Sequence, residues 1–218
     1  MSLIAALGAA AGVSAQTFGP PAALKTSATV DSADDRRPQV ATNGAGAWVA
    51  VWETTNALGG STGSDRDLLV ARSADAGVTW SPPAALNSNA SSDSGDDSRP
   101  RVAAGAGGAW VAVWHSTDSL GGTIGGDADI LVSRSTDGGI TWTAPAALDV
   151  NAASDAGNDT RPHVSTDGVG TWLAVWESTD SLGASIGSDF DLLVSRSTDA
   201  GATWTVPTAL NTNAASDS

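Results

Sequence analysis

With 218 residues, a formal net charge of −14 and a single lysine, this chain has no clustered cations to hold nucleic-acid phosphate, which argues against a nucleic-acid partner. It has no cysteine, so disulfide frameworks and thiolate-ligated zinc are ruled out. The acids are Asp almost throughout, with Glu only at Glu53 and Glu177, and there are 25 Gly; Asp and Gly serve turns where Glu and Lys would populate exposed helices, so the composition predicts strands joined by many turns.

Residues 1–15 form an apolar stretch ending Val13-Ser14-Ala15. Small residues there fit a secretory cleavage site with Gln16 as the mature N-terminus, although the basic start usual for a signal is missing. The expectation is an exported protein, secreted or at the cell surface, with no later stretch long enough to span a bilayer as a helix. Phe18–Leu24 then matches Trp80–Leu86 and Trp142–Leu148, a stray copy of a recurring segment.

From Arg37 onward the chain repeats itself every 62 residues. Arg37-Pro38, Arg99-Pro100 and Arg161-Pro162 share one register, as do Trp48, Trp110 and Trp172. A fixed period of this kind marks a repeat architecture, here 37–98, 99–160 and 161–218. Within the second repeat, Arg99–Ala103 reads as a short extended segment, because proline fixes φ and biases its predecessor toward β. A glycine turn at 105–108 leads to Ala109–His115, with Trp110, Ala112 and Trp114 on one face and Val111 and Val113 on the other. Apolar residues on both faces predict a strand covered on both sides. A long Gly/Asp loop from Asp118 to Asp129 precedes a third strand at Ile130–Arg134, and a tight turn leads into a fourth, Thr141–Leu148. The fold class is all-β: four-stranded antiparallel sheets stacked as propeller blades, about three of them, with helix nearly absent. Alternate connections of such a meander lie at opposite ends. The Asp-rich loops and linkers therefore gather on one rim with Arg37, Arg99 and Arg161.

The turn between third and fourth strands reads Ser73-x-Asp75-x-Gly77-x-Thr79-Trp80, repeated at Ser135–Trp142 and Ser197–Trp204. This S-x-D-x-G-x-T-W pattern resembles the Asp-box, or bacterial neuraminidase repeat, of sialidases and related β-propellers. The resemblance covers nearly all of residues 16–218 and implies that these turns lie opposite the ligand-binding end. Asp accepts hydrogen bonds from the turn amides, Gly takes positive φ, and Trp packs between sheets. Sialidases also carry an arginine cluster that grips the substrate carboxylate, a tyrosine nucleophile with a glutamate partner, and an aspartate acid/base. Here the arginine motif reads Arg-Pro where the family has Arg-Ile-Pro, and there is no tyrosine.

The candidate ligand-binding residues are thus Arg37, Arg99 and Arg161. The candidate metal ligands are the recurring loop carboxylates Asp65 and Asp67, Asp118 with Asp127 and Asp129, and Asp180 with Asp189 and Asp191. Carboxylates one residue apart amid Gly-rich backbone can ligate calcium, but Asp and Gly are also the default residues of solvated turns, and the spacing matches neither an EF-hand loop nor a regular Gly-Gly-x-Gly-x-Asp β-roll. The linker acids Asp93, Asp96, Asp97, Asp155 and Asp159 stand near enough in sequence to join them. His115 and His163 read as surface or satisfied histidines, and Arg72, Arg134 and Arg196 as partners of nearby Asp. The serines of Gly59–Gly63 and Gly183–Gly187 match a nucleophile-elbow spacing without the strand-to-helix context that it needs.

Three functions stay open: a non-catalytic module binding an extracellular glycan or protein; a piece of an exo-α-sialidase-like hydrolase with catalytic blades elsewhere; and a structural surface repeat. Three blades leave exposed sheet edges, so further repeats of the same array, or a second copy, are expected to complete the ring.

Overall fold

Strands rich in Val, Ile, Leu and Trp alternate faces with a period of two, and each repeat accordingly forms one antiparallel meander. The computed structural model describes residues 23–24 and 33–216; the candidate signal segment 1–15 and most of Phe18–Leu24 lie outside them. The first sheet is β1 (Asp35–Thr42), β2 (Trp48–Thr54), β3 (Asp67–Ser73) and β4 (Ala84–Ala85), in that spatial order. The second is β5 (Asp97–Ala104), β6 (Trp110–Ser116), β7 (Asp129–Ser135) and β8 (Ala146–Ala147). The third is β9 (Asp159–Thr166), β10 (Trp172–Ser178), β11 (Asp191–Ser197) and β12 (Thr208–Ala209). The only helical turns among the described residues are two single 3₁₀ turns, at Leu58–Gly60 and Ala106–Gly108. The architecture is therefore all-β, three blades of an incomplete propeller.

The fourth strand is shorter than expected. Only two residues of it pair in each blade, against the eight read from Thr141–Leu148. Proline supplies the reason: Pro82-Pro83, Pro145 and Pro207 carry no N–H and cannot sustain a ladder.

Blades pack face to face through indoles. Val49, Val51 and Leu86 of the first blade meet Trp110, Trp114 and Leu131 of the second. Val111, Val113 and Leu148 of the second meet Trp172, Trp176 and Leu193 of the third. All four of these tryptophans are fully buried, each contributing up to about 5 kcal/mol of apolar transfer free energy before entropy is set against it. The two outer faces differ from the inner ones. On the first blade, Trp52 and Leu69 pack against Leu24, which thereby takes the role that Leu86 and Leu148 play at the inner junctions. On the third, Leu173 and Leu192 are each 46 % exposed.

The S-x-D-x-G-x-T-W turns are built as hydrogen-bond knots. Asp137 Oδ1 accepts from Ser135 Oγ (2.7 Å) and from the Thr141 amide (2.9 Å), while Thr141 Oγ1 donates to Asp137 Oδ2 (2.6 Å). The same bonds recur at Asp75 and Asp199. Positive φ is needed at two consecutive positions, not at the glycine alone: Ala76 (60°) with Gly77, Gly138 with Gly139, and Ala200 (59°) with Gly201. These turns meet the β1–β2 and β5–β6 turns, through Ala76 N to Gly46 O (2.9 Å) and Gly138 N to Gly108 O (3.0 Å). They form one rim, the turn rim, while the linkers and long loops form the other, the loop rim. The β3 arginine Arg72 does not pair with Asp: its Nε donates to the Gly138 carbonyl of the next blade at 2.7 Å.

Candidate functional site

Each Arg-Pro sits on a β-bulge of the innermost strand. The ladder skips between Arg36 and Gln39, between Ser98 and Arg101, and opposite Val175 and Glu177. At each bulge the arginine takes a left-handed conformation, with φ of 50°, 55° and 53° at Arg37, Arg99 and Arg161. That conformation costs a residue with a side chain about 1–2 kcal/mol, and bulges re-aim side chains. The result brings the three predicted arginines into mutual electrostatic range: the Arg99 pKa is lowered by burial first, then by Arg37 and Arg161.

Their counter-ions break the symmetry. Arg37 Nη1 binds Glu53 at 2.8 and 3.0 Å, and Arg161 Nη1 binds Glu177. In the second blade the corresponding residue is His115. No side-chain hydrogen bond or ion pair holds the Arg99 guanidinium among the described residues. Its backbone N–H instead donates to Glu53 Oε2 at 3.0 Å, crossing from one blade to the next. His115 is neither a surface nor a satisfied histidine. Its Nδ1 is buried without a partner, and burial, reinforced by Arg99 and Arg37, lowers its pKa to about 4. Glu53, Glu177 and His115 had no reading as site residues in the sequence; their shared register opposite the Arg-Pro bulges was the available signal.

The loop rim gathers the aspartates. Asp65 and Asp67 meet Asp93 from the following linker, and Asp127 and Asp129 meet Asp155 in the equivalent place. In both trios a carboxylate oxygen of each residue lies within 4.8 Å of the others. Among the described residues a further trio, Asp149, Asp155 and Asp159, lies at the second junction and has no equivalent at the first. Asp118 and Asp180 lie one hydrogen bond away, accepting from Asn89 (2.6 Å) and Asn151 (2.7 Å), which also donate to Asp93 and Asp155. Asp189 and Asp191 stand at the third loop, where Asn211 donates to Asp191 Oδ1 at 2.7 Å; the residue matching Asp155 there is Asp217, outside the described residues. Sequence reading missed Asp149, whose misfit against Asn87 and Asn211 in the other repeats was the signal. Burial, joined by repulsion from neighbouring carboxylates, raises Asp129 to about 8 and Asp93 and Asp155 to about 7. Beside each inner junction the rim opens into a groove, about 650 Å³ near Asp93 and Asp118 and about 670 Å³ near Asp155 and Asp180.

No family model matches the chain, and no curated protein is similar to it in sequence. Solved structures are similar in fold. A Hadza microbial sialidase superposes with a TM-score of 0.55 at 20% identity, over 78% of this chain and 36% of that one. The Penicillium chrysogenum α-L-arabinanase complexed with arabinobiose gives 0.50 at 17%, over 79% and 47%. A family 117 glycoside hydrolase from the marine bacterium Zobellia galactanivorans gives 0.50 at 13%, over 82% and 56%. This chain therefore spans between about a third and somewhat over half of the length of these structures. No helix among the described residues is long and apolar enough to cross a membrane. With the blades, their packing and these likenesses together, the fold is that of a β-propeller, of which three blades are described.

Proposed function

We propose that this chain is an exported, non-catalytic Asp-box propeller module that binds an anionic glycan where Arg37, Arg99 and Arg161 converge. One observation carries the reading: Arg99 alone of the three lacks a carboxylate partner, because His115 replaces the glutamate that neutralises its counterparts. A half-buried guanidinium flanked by two others is a carboxylate receptor, since charge-assisted bonds formed out of bulk water are stronger than neutral ones. Propeller neighbours that include a sialidase and an arabinanase favour a sugar over a protein as the carrier of that charge. The absence of tyrosine favours binding over sialidase-type turnover.

Calorimetric titration with sialyllactose, a uronic-acid oligosaccharide and neutral lactose tests this. The acidic sugars are expected to bind, and both Arg99→Ala and His115→Glu to weaken them by about 10- to 100-fold, the worth of one charge-assisted hydrogen bond. His115→Glu restores the internal ion pair and so competes with the ligand without removing the arginine. Equal affinity for lactose would overturn the anionic site, and release of a fluorogenic aglycone from a sialoside would favour the hydrolase reading instead.

The outer faces support a second element of the reading, that further blades or a second copy complete the ring. Leu173 and Leu192 occupy the register of Val111 and Ile130, which the next blade's tryptophans cover. A Trp face such as that of Trp52 and Leu69 is the complement that the inner junctions use. Sedimentation of the 218-residue chain against a Leu173→Asp, Leu192→Asp double variant reads this directly. Self-association that vanishes in the variant is expected if the Leu173 face is a junction half.

A further inference from the structure

We propose that the loop rim at the junction of the second and third blades is a calcium site, built from Asp127, Asp129 and Asp155 with Asp149 and Asp159 beside them. The first junction carries a weaker version of it in Asp65, Asp67 and Asp93.

Acidic clusters on turns are common, and their proximity alone means little. The telling feature is the state of the oxygens. Asp129 is 1% exposed, and neither carboxylate oxygen has a donor; Asp149, equally buried, faces the Asp159 carboxyl. Asp127 Oδ2, Asp155 Oδ1 and Asp159 Oδ1 are likewise buried without donors. Buried acceptors are almost always satisfied, and a buried carboxylate left unpaired is among the costlier arrangements a protein can hold. Among the described residues no Lys or Arg pairs with these groups: the ion pairs lie around Glu53, Glu177, Asp34 and Asp96. What the cluster lacks is positive charge offering several bonds to oxygen at once.

The donor set selects the ion. It is all oxygen, without His or Cys, which suits a hard cation and not zinc or copper. The carboxylates converge from two blades and a linker, and calcium accepts six to eight oxygens in adaptable geometry, whereas magnesium demands a near-ideal octahedron and keeps its waters. Gly125 lets the loop fold its acid inward. A Cβ there would stand 2.2 Å from Asp127 Oδ1, and Gly63 is in the same relation to Asp65 Oδ1 at 2.4 Å.

The two junctions differ at one position. Asn87 donates from Nδ2 to Asp67 Oδ1 (3.1 Å) and Asp97 Oδ2 (2.7 Å), bridging the blades with a neutral amide. At the second junction Asp149 replaces that amide, and the bridge becomes carboxylates facing one another. An ion there ties the second blade and its linker to Asp159, the first residue of β9.

The test uses the full 218-residue chain in calcium, in magnesium, and in EDTA with sodium chloride matched for ionic strength. Calcium is expected to raise Tm by about 5 °C or more over EDTA, the response to a ligand held near a hundredfold above its Kd, and magnesium by much less. Terbium, a calcium mimic, should show emission sensitised through the neighbouring indoles and displaced by calcium. Asp129→Asn should remove most of the Tm response and of the terbium signal, Asp65→Asn only a minor part, and Asp137→Asn on the turn rim none. Should Asp129→Asn fail to fold, Asp149→Asn, which copies Asn87, and Gly125→Ala carry the same expectation. Equal Tm in calcium and EDTA, equal responses to calcium and matched salt, or a calcium response undiminished in these variants would each overturn the proposal.

Discussion

The two rims of this propeller use the same side chain to opposite ends. On the turn rim, Asp75, Asp137 and Asp199 are exposed and bonded to serine and threonine hydroxyls and turn amides, and those bonds lower their pKa, to about 2 at Asp75 and Asp199. On the loop rim, Asp129, Asp149 and Asp159 are buried and short of donors; burial drives their pKa up, with mutual repulsion adding to it. An aspartate is therefore a turn lock or an ion ligand according to the donors around it. Counting acids in a sequence does not distinguish the two.

The sharpest way to break this contrast is to move a donor across it. Asp149→Asn, measured by urea denaturation in EDTA, should stabilise the chain by about 1–3 kcal/mol, because the amide can donate to Asp129 and Asp159 as Asn87 does at the first junction. Asn87→Asp should cost a similar amount. On the turn rim, Gly139→Ala should destabilise by about 2 kcal/mol: φ is +84°, and a Cβ would lie 2.7 Å from Val49 Cγ2 of the preceding blade. Acid titration separates the rims by sign. The folded pKa of Asp75 and Asp199, about 2, lies below the unfolded value, so their contribution is present above about pH 4 and is lost as pH falls through about 2. Comparison of acid unfolding with that of an Asp75→Asn, Asp199→Asn double variant should show the chain losing its advantage over the variant across that interval. The smallest effect is a gain: Ala76→Gly and Ala200→Gly should each stabilise by up to about 1 kcal/mol in thermal denaturation, since both alanines hold positive φ.

Much of this was legible in the residues. The 62-residue period, the alternation through Ala109–His115 and the turns at Gly77, Gly139 and Gly201 give blades, their faces and their ends, because strand and turn are local consequences of side-chain placement. The gathering of Arg37, Arg99 and Arg161 on the loop rim followed from strand direction alone. The length of the fourth strand was not legible, since apolar content suggested eight residues where proline's missing donor permits two. Nearness in sequence points Arg72 to an aspartate, but it reaches the carbonyl of Gly138, 66 positions away in sequence.

Amino-acid order by itself thus determined an acidic, all-β repeat with indoles between sheets and arginines at one end, as each of those properties is written within a single unit. Only the tertiary structure decided which arginine lacks a partner, which aspartates lack donors, and which apolar faces stay open. Those properties depend on contacts between units, where a neighbour such as Glu53 or Asn87 either supplies the missing charge or hydrogen bond or does not.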